Sequence, residues 1–177
     1  KMCNPEIAGV FVEPIQAEGG DRHGSVYFFQ QLRSITRDNS IPLIADEVQT
    51  GFGSTGKLWA HEWWGEGYSP DIVVFSKKFQ VAGFFATEEF RPDDAYPTNS
   101  TWGGDAFRGA LLDEILNIVE EEELIDKQNT IGNIIKSEIG ILSKFRGQGA
   151  FMAFDCDSGE DRNDKISEFQ KHGVLVG

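Results

Sequence analysis

The sequence predicts an α/β fold with a mainly parallel sheet, because short apolar runs alternate with helix-length segments. Three of these runs are typical of buried strands, namely residues 7–12 (IAGVFV), 41–45 (IPLIA) and 71–76 (DIVVFS). Residues 26–39 lie between the first two runs and repeat apolar side chains at helical spacing. Strands joined by a crossover of this length are usually parallel, so we expect their carboxyl ends to meet at one rim of the sheet.

The second half of the chain predicts helices followed by a smaller α+β unit. In order, we expect two helices within residues 106–142, a strand at 150–155, a helix at 160–173 and a final strand at 173–177. This change of pattern divides the chain. Residues 1–142 are expected to belong to a large domain with its connecting helix, and residues 143–177 to begin a small C-terminal domain.

Composition excludes several classes of protein. The formal net charge of −13 argues against a nucleic-acid partner, since such partners select for basic patches. No apolar run is long enough to cross a bilayer, so we expect a soluble protein. Cys3 and Cys156 lie far apart, which favours free thiols in a reducing, intracellular compartment. The histidines lack the spaced companions of a metal site, so no metal is predicted.

Polar side chains follow each predicted strand at the expected rim. In chain order they are Glu13 and Glu18, then Asp46 and Gln49, then Ser76 and Lys77. Loss of water at a buried strand end can lower the pKa of a lysine such as Lys77, which suits it to form a Schiff base with an aldehyde. A neighbouring carboxylate, Asp46, can keep the ring nitrogen of a pyridoxal cofactor protonated, and Gln49 can hydrogen-bond the phenolic oxygen of the ring.

Taken singly, these residues have plainer interpretations. A lysine after a strand is usually a solvated cap, and an aspartate there is usually a helix cap or a turn residue. The tryptophans at positions 59, 63 and 64 favour core or dimer packing over a substrate cage. The glycine-rich loop TGFGSTGK (residues 50–57) does not predict a P-loop, because no Ser or Thr follows its lysine. The combination of residues at the rim is therefore more informative than any one of them.

Four ordered segments resemble the class III (ω-amino acid) pyridoxal-phosphate aminotransferases. They are EPIQAEGGDRH (13–23), DEVQTGFGSTGKLWAHE (46–62), PDIVVFSKK (70–78) and NSTWGGD (99–105). The resemblance covers nearly the whole chain and implies fold type I of the pyridoxal-phosphate-dependent transferases, with helices on both faces of the sheet. Within this class the chain most resembles the 4-aminobutyrate aminotransferases, although QVAG (80–83) and NSTWGG also resemble the L-lysine 6-aminotransferases.

Matched residue by residue, this resemblance assigns roles at the rim. It implies that Lys77 is the Schiff-base lysine and proton shuttle, with Lys78 as the alternative. It implies that Asp46 pairs with the pyridine nitrogen and that Gln49 lies beside the phenolic oxygen of pyridoxal 5'-phosphate. Thr101 matches a threonine that binds the cofactor phosphate of the other subunit, so the resemblance also implies a homodimer with shared active sites.

Glu18 matches the glutamate that family members pair with a substrate-site arginine. That pair opens for a dicarboxylate, which lets one pocket accept both an ω-amino acid and 2-oxoglutarate. The arginine is expected beyond Gly177. The family's phosphate loop and ring-stacking aromatic residue belong to an N-terminal half that this chain lacks, so we expect the chain to be part of a longer enzyme.

These matches imply transamination of an ω-amino acid. The expected reaction converts 4-aminobutyrate and 2-oxoglutarate into succinate semialdehyde and glutamate. One alternative uses the ε-amine of L-lysine as the donor, and an alternative of another class is a catalytically silent structural relative. The expected compartment is the mitochondrial matrix for a eukaryotic protein and the cytoplasm for a bacterial one.

Overall fold

The computed structural model describes residues 7–93, 103–140, 142 and 144–176. In chain order its strands and α-helices are β1 (Val10–Val12), β2 (Ile15–Gln16), β3 (Arg22–His23), α1 (Val26–Asp38), β4 (Leu43–Asp46), β5 (Ile72–Phe75), β6 (Gly83–Ala86), α2 (Ala106–Glu121), α3 (Leu124–Ile139), β7 (Arg146–Gln148), β8 (Phe151–Ala153) and α4 (Gly159–Lys171). Short 3₁₀ turns at Ala60–Trp64 and Lys77–Phe79 lie close to the ends of the central strands.

The central sheet has the order β1-β4-β5-β6. Strands β1, β4 and β5 are parallel, as the sequence predicts, and their carboxyl ends lie at the same rim. Strand β6 was not predicted. It pairs antiparallel with β5, because a short turn joins the two strands and a parallel pair would need a longer crossover.

One face of the sheet packs against α1 and forms the core. Successive side chains of a strand point to opposite faces, so alternate residues of β4 point toward α1. The buried core cluster consists of Phe29, Leu32, Leu43, Ala45 and Trp64. The rings of Phe29 and Trp64 stack with centroids 4.6 Å apart. Trp64 is therefore a core residue, which agrees with the packing role that its sequence context favours.

The opposite face of the sheet carries Asp46 in a row with Val74 of β5 and Phe84 of β6. Phe11 and Phe84 on this face are 59% and 41% exposed. The pairing register therefore places Asp46 on the face away from α1, at the carboxyl end of its strand.

A buried ion pair fixes α1 against the sheet. Arg33 Nη1 and Nη2 donate to the two carboxylate oxygens of Asp71 at 2.7 and 2.6 Å. The same carboxylate accepts a hydrogen bond from the backbone N–H of Leu43 at 2.8 Å. The start of β4, the start of β5 and the middle of α1 are thus held by one carboxylate.

The C-terminal part differs from the sequence prediction in two places. Residues 146–148 form β7, which was not predicted and pairs antiparallel with β8. The final strand was predicted at residues 173–177, and this prediction is wrong for residues 174–176, which are irregular. The β7–β8 turn lies against α3, since a Cβ added to Gly132 would lie 2.1 Å from the carbonyl oxygen of Gly149.

The described residues contain neither a helix that could cross a membrane nor a cluster that could hold a metal ion. Within residues 7–93, 103–140, 142 and 144–176, no helix is both long and apolar enough to cross a membrane. Over the same residues, no group of three or more His, Cys, Asp or Glu side chains is arranged to hold a metal ion.

Candidate functional site

Asp46 and Glu47 are adjacent carboxylates that point in opposite directions at the end of β4. The backbone N–H of Glu47 continues the ladder by donating to the carbonyl oxygen of Val74 at 2.9 Å. Side-chain alternation then directs Glu47 to the core side and Asp46 to the open face. Asp46 is half-buried, and its Oδ1 accepts a hydrogen bond from the backbone N–H of Val48 at 3.0 Å, which orients the carboxylate.

Glu47 is a buried anchor that the sequence analysis did not identify. It is 0% exposed, and its carboxylate accepts hydrogen bonds from the Thr50 hydroxyl, from Ala60 N at 3.1 Å and from His61 N at 2.8 Å. The Nδ1 atom of His61 lies 3.0 Å from Glu47 Oε1. These contacts join the strand end to the 3₁₀ turn at Ala60–Trp64. The available signal was the alternation of the strand, which predicts that only one of two successive carboxylates can face the open rim.

Gln49 brings two predicted site residues together. Its Nε2 donates to Glu18 Oε1 at 3.2 Å, and its backbone carbonyl oxygen accepts a hydrogen bond from Lys78 Nζ. Glu18 lies in the five-residue loop of the β2–β3 hairpin and is exposed. The loops that follow three different strands therefore converge on Gln49.

The two lysines lie in a tight turn after β5. Lys77 and Gln80 both adopt left-handed backbone conformations, with φ of 54° and 60°. Such conformations are unfavourable for residues other than glycine and need support from their surroundings. Phe79 supplies that support, because it is 4% exposed and stacks on Trp59 with centroids 5.1 Å apart. An aromatic cluster thus holds the turn that carries both lysines.

The side chains of Lys77 and Lys78 have different surroundings. Lys77 lines a groove of about 400 Å³ with Ser76, Gln80 and Arg108. Lys78 instead reaches the carbonyl oxygen of Gln49 at the end of the neighbouring strand. Burial lowers the pKa of Lys78, and the positive charge of Lys77 lowers this pKa further, whereas the Glu47 carboxylate opposes the shift. The lowered pKa favours the neutral, nucleophilic form of the Lys78 amine.

These residues fit a pyridoxal ring. A carboxylate, a side-chain amide and an amine follow the ends of two neighbouring parallel strands, and this is the part of an α/β sheet where ligands bind. The positions involved are Asp46, Gln49 and Lys78. Thr101, the predicted phosphate ligand, lies outside the described residues, and its role stays a prediction.

The glycine-rich loop at residues 50–57 has a packing role. Asn129 of α3 donates through Nδ2 to the carbonyl oxygen of Gly56 at 3.0 Å. Gly56 has a φ of 86°, and a Cβ added there would lie 1.9 Å from Asn129 Oδ1. Glycine is therefore needed at this position for close contact between the loop and a helix.

Comparison with known proteins identifies the family. The Aminotransferase class-III family matches residues 1–177. A 4-aminobutyrate aminotransferase of Dictyostelium discoideum is 42% identical over 185 residues, which cover 100% of this chain and 37% of the relative. The mitochondrial 4-aminobutyrate aminotransferase of Sus scrofa is 42% identical over 179 residues, covering 97% of this chain and 36% of the relative.

Solved structures show the same relationship. The lysine aminotransferase from M. tuberculosis, solved in its internal aldimine form, matches with a TM-score of 0.84 and 34% identity, over 94% of this chain and 41% of that one. An ornithine aminotransferase from Toxoplasma gondii matches with a TM-score of 0.82 and 27% identity, over 98% of this chain and 44% of that one. This chain thus spans less than half the length of these relatives.

The prediction of a fold type I α/β architecture is confirmed by these structural matches, and so is the prediction of the family. Members of this class depend on pyridoxal 5'-phosphate, in agreement with the cofactor expected from the rim residues. With a family match over its whole length and relatives at 42% identity, the chain belongs to the class III pyridoxal-phosphate-dependent aminotransferases.

Proposed function

We propose that the protein containing this chain transfers an amino group from an ω-amino acid to 2-oxoglutarate. The proposed donor is 4-aminobutyrate, which would yield succinate semialdehyde, and 2-oxoglutarate would yield glutamate. The observation that carries this proposal is the convergence of Lys78 and Glu18 on Gln49, beside the strand that ends in Asp46.

Each of these side chains has a distinct task in this proposal. Pyridoxal 5'-phosphate, when bound, supplies an aldehyde that accepts the amine and a ring that stabilises negative charge on the adjacent carbon. Asp46 would hold the proton on the ring nitrogen, and its hydrogen bond from Val48 N orients the carboxylate. The Gln49 amide would donate a hydrogen bond to the phenolic oxygen of the ring. The lysine amine would remove the proton from the carbon that bears the substrate amine and deliver it to the cofactor carbon that carried the aldehyde.

For the covalent lysine, the geometry favours Lys78 over Lys77. The sequence match assigned Lys77, with Lys78 as the alternative. Both lysines are exposed, but Lys78 contacts the carbonyl oxygen of Gln49 and partial burial of its amine lowers its pKa, whereas Lys77 lines the groove that also contains Arg108. A proton shuttle must be neutral for part of its cycle, and the lowered pKa of Lys78 favours that form.

Two variants of the full-length protein separate the two lysines. Borohydride reduction should fix the cofactor on Lys78, as located by fragmentation of the labelled peptide in a mass spectrometer. Lys78→Gln should abolish both the label and the transaminase activity, whereas Lys77→Gln should retain both. Label on Lys77, or full activity of Lys78→Gln, would overturn this assignment and restore the one made from the sequence.

The donor has one competing candidate. The solved lysine aminotransferase from M. tuberculosis is 34% identical, compared with 42% for the 4-aminobutyrate aminotransferases, so the relatives favour 4-aminobutyrate. The test supplies each amine with 2-oxoglutarate and measures glutamate. A higher kcat/KM with L-lysine would replace the proposed donor. A colourless protein that is silent with both amines would favour the structural relative.

The cofactor phosphate is proposed to be bound across a homodimer through Thr101, on the strength of the sequence match alone. Mixing inactive Lys78→Gln subunits with inactive Thr101→Ala subunits tests this proposal. If Thr101 binds the cofactor phosphate of the other subunit, one site of the mixed dimer contains both substitutions. The second site then contains neither substitution and is active. If Thr101 serves its own subunit, mixing restores nothing.

A further inference from the structure

The β2–β3 hairpin that carries Glu18 is too short to hold its own shape. Each strand has two residues, and the hairpin pairs only Ile15 with His23 and Gln16 with Arg22. An isolated two-stranded hairpin is marginal in water even when it is longer than this. The position of Glu18 therefore depends on contacts from outside the hairpin.

Arg146 of β7 supplies such contacts from a distant part of the chain. Its Nε donates to the carbonyl oxygen of Asp21 at 2.6 Å, and its Nη2 donates to that of Gly20 at 3.1 Å. Gly20 and Asp21 both adopt left-handed conformations, with φ of 100° and 47°. These two carbonyl groups belong to the C-terminal end of the loop that contains Glu18, where the φ of Asp21 is unfavourable for a residue other than glycine.

The Arg146 guanidinium is itself held in place. Its Nη1 donates to the carbonyl oxygen of Lys144 at 3.0 Å and to Asp155 Oδ1 at 2.8 Å. Hydrogen bonds from Lys144 and Arg146 lower the pKa of Asp155, so this carboxylate stays ionised. Because the guanidinium is a rigid planar fork, Nη1 can bind Asp155 while Nε and Nη2 bind the two loop carbonyl groups. A lysine ammonium has no such fixed arrangement of donors.

We propose that Arg146 is a positioning residue that sets Glu18 against Gln49 and thereby tunes how the site discriminates between the ω-amino acid and the dicarboxylate. This inference rests on the proposed function and on the role that the resemblance implies for Glu18, whose pair with a substrate-site arginine opens for the dicarboxylate and stays closed for the ω-amino acid. The contacts form one path, from Arg146 through the carbonyl groups of Gly20 and Asp21 to Glu18, and from there to Gln49.

The experiment measures both half reactions of the full-length holoenzyme separately, as kcat/KM for 4-aminobutyrate and kcat/KM for 2-oxoglutarate. The same folded molecules catalyse both half reactions, so any loss of folded protein cancels in the ratio of the two values. Arg146→Ala and Glu18→Gln should each change this ratio by roughly tenfold, in the same direction, because displacement of a positioned group by about an ångström has effects of this order or larger.

A double-mutant cycle tests whether Arg146 acts through Glu18. In the Glu18→Gln background, Arg146→Ala should change the ratio by less than about twofold, since residues that act as a unit are non-additive. An equal change in both backgrounds, or an unchanged ratio in Arg146→Ala, would overturn the inference. If Arg146→Ala does not fold, Arg146→Lys is measured in the same cycle and judged by the same criterion.

Lys144→Ala is the matched control. Lys144 also pairs with Asp155, at 3.2 Å, and its side chain makes no contact with the hairpin loop among the described interactions. Its removal should leave the ratio unchanged. A ratio that moves with Lys144→Ala as far as with Arg146→Ala would assign the effect to Asp155 and overturn the role of the loop carbonyl groups. If Glu18→Gln itself leaves the ratio unchanged, the role proposed for Glu18 in substrate discrimination is refuted. This outcome differs from one in which both single variants change the ratio and their effects add, which would refute only the role of Arg146.

Discussion

Replacement of Glu47 by glutamine tests how the strand end is anchored. The change is isosteric but leaves one oxygen where the carboxylate has two. Oε2 accepts from the Thr50 hydroxyl and Ala60 N, and Oε1 accepts from His61 N. The new side-chain amide can place its NH₂ group at either oxygen position. In one orientation the N–H of Ala60 loses its acceptor, and in the other the N–H of His61 does.

The expected loss of stability follows from this count. One orphaned buried backbone N–H costs about 1–3 kcal/mol, which is the loss expected for Glu47→Gln. Glu47→Ala orphans the N–H groups of both Ala60 and His61, so a loss of about 2–6 kcal/mol is expected. Glu66→Gln is the matched control, because Glu66 is exposed and its replacement should stay within about 0.5 kcal/mol of the wild type.

Equilibrium unfolding in urea, followed by the fluorescence of the tryptophans beside Glu47, measures these differences. The free energies should fall in the order wild type, Glu47→Gln, Glu47→Ala. If Glu47→Gln and Glu66→Gln are equally stable, the hydrogen-bond account of Glu47 is refuted. The account is also refuted if Glu47→Ala is no less stable than Glu47→Gln.

Three further predictions concern the ion pair and the lysine turn. Asp71→Ala should destabilise the protein by about 3–5 kcal/mol, because it leaves Arg33 buried without its partner, and the addition of Arg33→Met should recover part of this loss. Additive losses in urea unfolding would contradict this prediction. Phe79→Ala should cost about 3–5 kcal/mol by the same assay, since it removes a buried ring from an aromatic cluster, and a loss below about 1 kcal/mol would show that the turn is held by other contacts. Lys77→Gln should raise the pKa of Lys78, because it removes a nearby positive charge that lowers this pKa. In the cofactor-free protein, where the Lys78 amine is free, the pH dependence of its modification by an amine-reactive reagent should then shift to higher pH, and an unchanged midpoint would contradict the assigned cause.

Local patterns were sufficient for much of the fold. Helix α1 was expected at residues 26–39 and occurs at Val26–Asp38, because apolar side chains recur at helical spacing after the cap Ser25. The parallel pairing of β1, β4 and β5 followed from the length of their crossovers. The β2–β3 hairpin and β7 were missed, since strands of two or three residues carry almost no periodic signal.

The sequence by itself determined the α/β class and placed Asp46, Gln49 and the lysine pair at the ends of neighbouring strands. These features depend on side-chain spacing and on strand order, and both are local or nearly local properties. The tertiary structure decided which of two adjacent side chains lies at the open rim of the sheet. It distinguished Asp46 from the buried Glu47, and it gave Lys78 rather than Lys77 the contact with Gln49. Only the folded chain brought Arg146 to the loop that carries Glu18, because that contact joins residues 125 positions apart, and no local pattern encodes a separation of this length.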